Sequence, residues 1–135
     1  MKSAKLFAGF LLLISFSFTN CTQDRDYRFG TDEIITNGNW GVEFYANPDK
    51  TAEFSTYSLQ FNGNGKVQGT NGLNTVEGTW TVVHDVDRTD VLSISINEQN
   101  PLSELTNKWS VTTKSNNALA FKLKGGATEF RIRKL

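Results

Sequence analysis

The chain has a single cysteine in 135 residues, so no disulfide can form within one monomer. It also has a single histidine, His84, which leaves the commonest general base with one candidate. No basic patch or run of like charges stands out, and 14 basic residues balance 14 acidic ones, so nucleic acid is not an expected partner. Long apolar runs are missing too. Leu6 to Phe18 is about 13 residues, against the roughly 20 a helix needs to span a bilayer. Nowhere do strand patterns alternate with helical ones, which excludes a parallel βαβ sheet. At this length the chain folds around one core and has no room for a separate catalytic domain.

What is present begins with an ordered N-terminus. Met1-Lys2-Ser3-Ala4-Lys5 is a basic start, and Leu6 to Phe18 has the length of a signal-peptide apolar region. Phe18-Thr19-Asn20-Cys21 follows. This resembles the lipobox of bacterial lipoproteins, in which a peptidase cuts before a cysteine that carries diacylglycerol. The resemblance implies a signal peptide over 1–20 and an acylated Cys21 that anchors the mature chain to a membrane. Each buried acyl methylene contributes about 0.8 kcal/mol, so two or more palmitate-like chains hold stably where one does not. Loss of Lys2 and Lys5 leaves 12 basic residues against 14 acidic ones.

Thr22 stands where an aspartate signals inner-membrane retention, so the resemblance implies the outer membrane. Asp24 and Asp26 are similar to the acidic stretch that marks surface-exposed lipoproteins of Bacteroidota, and both a periplasmic-facing and a cell-surface placement stay open. Residues 22–37 are polar and aperiodic. Residues 21–37 are therefore expected to be a lipidated tether, ahead of a β domain over 38–135.

From Trp40 the dominant period is two. Trp40, Val42 and Phe44 alternate with Gly41, Glu43 and Tyr45. The pattern returns at Tyr57-Leu59-Phe61, Val76-Gly78-Trp80-Val82, Leu92-Ile94-Ile96, Trp109-Val111-Thr113, Leu119-Phe121-Leu123 and Phe130-Ile132. Such alternation marks strands with one face in a core and one in water. A short strand at Lys66 to Gln68 makes eight. Asn62-Gly63-Asn64-Gly65, Asn71-Gly72, Ser115-Asn116-Asn117 and Gly125-Gly126 supply turn chemistry between them, and His84 to Asp90 reads as a longer hairpin loop. Pro101 to Asn107 hints at one helical turn, with Leu102 and Leu105 packed together three residues apart. Strands at this spacing predict an all-β fold, either an eight-stranded antiparallel barrel or a β-sandwich.

Gly38-Asn39-Trp40 resembles the first-strand motif of lipocalins, and Gly78-Thr79-Trp80 repeats its spelling. The early Trp strand, the Phe-Asn-Gly-Asn-Gly turn, the Gly-Thr-Trp strand and Leu-Ser-Glu-Leu-Thr-Asn-Lys-Trp are together similar to the lipocalin-like lipoproteins of Bacteroidota, a largely uncharacterised group. The resemblance implies a lipocalin-like barrel. It places Trp40 across the barrel floor with Arg131 or Arg133 stacked over it, a contact of about 0.5–2 kcal/mol. The body is shorter than a lipocalin's, which predicts a narrow, shallow cup.

No residue set rises to a catalytic constellation. His84 has Asp85, Asp87 and Asp90 nearby but no nucleophile elbow. The run from Asp85 to Asp90 lacks the glycine and the distal glutamate of a calcium loop, so no metal and no cofactor is expected. Glu104 and Lys108, four apart, read as a surface pair. Trp40, Trp80 and Trp109 lie on apolar strand faces and read first as core; alternatively Tyr57, Phe61, Trp80 and Trp109 line a cup for a small hydrophobic ligand. Two functions follow: a non-catalytic, lipid-anchored envelope protein that binds such a ligand, or one whose barrel is filled and docks a protein or glycan.

Overall fold

The computed structural model describes residues 30–84 and 89–135. The expected signal peptide, Cys21, the first part of the tether and the Asp85-Val86-Asp87-Arg88 loop lie outside the described residues. The elements are α1 (Thr31–Ile35), β1 (Asn39–Ala46), α2 (Thr51–Phe54), β2 (Ser58–Phe61), β3 (Lys66–Asn71), β4 (Asn74–His84), β5 (Asp90–Ser95), a 3₁₀ turn (Pro101–Leu105), β6 (Asn107–Lys114), β7 (Ala118–Leu123) and β8 (Glu129–Lys134).

Each strand pairs antiparallel with the next, and β8 pairs back onto β1, so the eight strands close into an up-and-down barrel. The expected fold is observed, and the sandwich is not. The turn signals at 62–65, 71–72, 115–117 and 125–126 all fall between paired strands.

Two bulges shift the alternation. Between Val42 and Phe44 the register of β1 against β8 slips by one residue. An extra residue in one strand turns every later side chain to the other face. Tyr45, not Phe44, therefore enters the core, and Phe44 lies on the outer wall with the Arg131 guanidinium 5.8 Å from its ring centre. A second bulge, between Val111 and Thr113, does the same to β6. Val111 is only partly buried, and Lys114 comes to pair with the fully buried Leu119, on the inward phase.

The interior is filled with rings. Trp109 meets Phe130 edge-on at 4.6 Å, Phe121 stacks on Phe130 at 4.7 Å, and Tyr45 joins Phe130 to Phe54. Each tryptophan also donates its indole N–H to a backbone carbonyl outside its own strand: Trp40 to Ile35, Trp80 to Asn62 and Lys66, and Trp109 to Leu105. A buried indole N–H without a partner is costly, so these bonds fix both the ring and the segment that accepts from it.

Candidate functional site

Both ends of the barrel are covered. The top end carries the β1–β2 and β5–β6 connections. There α2 sets Phe54 on Tyr45 with ring centres 4.7 Å apart, and the 3₁₀ turn sets Leu102 and Leu105 inward, each at most 1% exposed. Pro101 opens that turn and the Asn100 side chain accepts from the Leu102 N–H at 2.9 Å, which caps it. Gly69 on β3 makes the space: a Cβ there would stand 2.1 Å from Leu102 Cδ1. Lys50 reaches Glu104 at 2.5 Å, joining the two top segments. Glu104 thus pairs with Lys50 from the preceding cap rather than with Lys108, as its spacing had suggested.

The base carries both termini and the β4–β5 and β6–β7 connections. Residues expected to belong to the tether are ordered here: α1 buries Thr31, Ile34 and Ile35. Among the described residues, α1 is thus packed onto the barrel ahead of Gly38. The sequence signal for this was the Ile34-Ile35 pair inside an otherwise polar stretch.

Asp90 sits below α1, only 8% exposed. It stands on the inward phase of β5 with Leu92 and Ile94, and His84 is its direct cross-strand partner. One carboxylate oxygen accepts from the Thr31 hydroxyl at 2.6 Å and from the Thr31 N–H at 3.4 Å; Lys114 lies 3.5 Å from the same oxygen. His84 Nδ1 lies 2.5 Å from the other oxygen. Burial works to raise the Asp90 pKa. The Thr31 hydroxyl, His84 and Lys114 together outweigh it and hold the carboxyl below its ordinary value. His84 itself is largely exposed, and the hydroxyl of the group bonds the carboxylate rather than the imidazole. The arrangement is a fastening of charge and hydrogen bonds.

The four residues assigned to a cup are all among the buried side chains. Tyr57, Phe61, Trp80 and Trp109 are each at most 6% exposed. Phe61 packs edge-on against Trp80 at 5.7 Å, and that indole is bonded to the β2–β3 hairpin at the base. Trp109 is bonded to the 3₁₀ turn at the top. Trp40 is fully buried, as a floor residue should be, but its cation is different: Lys134 Nζ lies 5.6 Å from the ring centre. Arg131 and Arg133 face outward, where both approach Glu43. Alternation explains this, because Lys134 pairs directly with Trp40 and so shares its face, whereas Arg131 and Arg133 fall on the other.

Two clefts lined by described residues lie on the surface. One of about 380 Å³ runs beside α1, between Glu33, Ile34 and Asn37 on one side and Asn116 and Lys134 on the other. Another of about 320 Å³ lies against the β7–β8 turn, with Ser110, Lys122 and Gly125 in its lining. Among the described residues no set of three His, Cys, Asp or Glu side chains could hold a metal ion.

The fold and its closures define a small up-and-down barrel with a packed interior. A crystal structure of a DUF4847 family protein from Bacteroides vulgatus ATCC 8482 is similar to it, with a TM-score of 0.59 at 21% identity, over 78% of this chain and 98% of that one. That likeness is one of fold. No protein-family model and no curated protein matches the sequence.

Proposed function

We propose that this chain is a non-catalytic envelope lipoprotein, held at the outer membrane by acylated Cys21, whose filled barrel docks a protein or glycan through its outer wall and loop rims. The observation that carries the docking reading is the double closure: Phe54, Leu102 and Leu105 at one end and Ile35 at the other are each at most 1% exposed. A ligand cup needs an open mouth and a void, whereas Phe61 packs on Trp80 and Trp109 on Phe130. The anchor rests on the short apolar leader and the lone thiol that ends it.

Two experiments test the halves separately. Titrating an apolar dye or a fatty acid into the soluble domain, residues 28–135, is expected to give no saturable binding and no quenching of tryptophan emission. Saturable quenching restores the cup. Radiolabelled palmitate is expected to enter the wild-type chain and not Cys21→Ser, and the variant is expected to leave the membrane fraction. Unchanged fractionation of Cys21→Ser removes the anchor.

A further inference from the structure

We infer that α1 is a detachable strap: an arm seated in the base of an otherwise complete barrel, able to swing out about Gly38 without breaking a rung of the sheet. This holds whatever the chain docks and however it is anchored.

The sheet closes without α1. Every strand pairing runs among β1 to β8, and α1 contributes to none of them. The helix is five residues long, far below the roughly 12–15 at which an isolated helix persists in water, so it exists because it is docked. Its described fastenings are few: the two Thr31 bonds to Asp90, the Trp40 indole bond to the Ile35 carbonyl at 2.9 Å, and the buried side chains of Ile34 and Ile35. Along one flank a cleft of about 380 Å³ lies between Glu33 and Asn37 on α1 and its exit and Asn116 and Lys134 on the barrel.

On the receiving side, release costs the Trp40 indole its acceptor but leaves the buried charge partnered. A buried carboxylate stripped of its partners is strongly destabilising. Asp90 keeps His84 and Lys114 when Thr31 departs, so release orphans no charge. The pivot is equally suited. Gly38 has φ +106°, a conformation that side chains rarely adopt, and it joins the end of α1 to the first residue of β1. The top closures have no such freedom, because each lies between two strands of the barrel.

Amide hydrogen exchange on the folded chain, measured across a series of low urea concentrations, decides the matter. The amides of Glu33, Ile34, Thr36 and Asn37 are hydrogen-bonded in or beside α1. They are expected to exchange faster than those of β7 and β8 and with little dependence on urea, as a local opening does. Thr31→Val, which deletes the hydroxyl bond, is expected to speed exchange at those four amides about tenfold and leave β7 and β8 unchanged; Thr31→Ser restores protection. Equal protection and equal urea dependence in α1 and β8 of the native chain overturn the inference, as does a loss in Thr31→Val spread evenly over both. If Thr31→Val fails to fold, the native urea series decides alone.

Discussion

At the top of the barrel, hydrocarbon does the closing. Phe54, Leu102 and Leu105 are carried on connections tied to strands at both ends, and Gly69 is shaped to receive one of them. At the base, Ile35 is brought in by a short helix that precedes β1, and the fastening is a carboxylate shared by three side chains. The difference matters because the two chemistries respond to different conditions. Apolar closure depends on area and shape and ignores pH. A charged fastening in a half-dry setting depends on ionisation and on every partner being in place.

Three substitutions break or sharpen that contrast. The largest effect belongs to Leu102→Ala, which empties the top plug and is expected to lower the global unfolding free energy by about 2–5 kcal/mol in urea titrations. A loss below that range would mean the top is as loosely held as the base. Next comes Gly69→Ala. Its methyl would collide with the end of the buried Leu102 side chain, which must shift, and the expected cost is about 1–3 kcal/mol by the same measurement. Neither change is expected to alter α1 exchange relative to the barrel. If both accelerate it, the ends are coupled and the contrast fails.

Asp90→Asn is expected to have the smallest effect at neutral pH, about 1–2 kcal/mol, together with a signature the top variants lack. The folded carboxyl is held below its ordinary value, so its contribution is complete above that ordinary value and disappears as pH falls through the folded one. The gap in stability between wild type and Asp90→Asn is therefore expected to be constant at neutral pH and to narrow on acidification. Thr31 from α1, His84 from β4 and Lys114 from β6 are the described groups that face the carboxylate. A gap that does not narrow in acid would show that the charge contributes nothing to the closure.

Much of the fold was legible because period-two alternation is local and recurs along the chain, with Asn-Gly turn chemistry at two of the connections. The residues that escaped are those whose placement depends on a count elsewhere. A bulge is one extra residue, and nothing in the composition of Glu43-Phe44-Tyr45 or Thr112-Thr113-Lys114 marks it. Yet the first bulge exchanges Phe44 for Tyr45 in the core, and the second carries Lys114 inward toward Asp90. Asp90 itself read as one more acid in a solvated loop, because its partners come from positions 31, 84 and 114. The cation over Trp40 was within reach: counting along β8 from the inward Phe130 and Ile132 leads to Lys134 and passes over both arginines. The covered mouths were legible only in part: the Leu102-Leu105 turn and the Ile34-Ile35 pair show in the sequence, but neither they nor α2 is long enough to announce what it covers.

The pairing of β8 with β1 sets a rule for whatever this molecule recognises. An open sheet offers a row of spare amides and carbonyls on which a guest peptide can lie as one more strand. In the ring each of the eight strands already has two neighbours, so no strand offers an edge unpaired from end to end. Among the described residues, contact with another molecule then falls mainly to side chains and loop tips, where selectivity is written residue by residue.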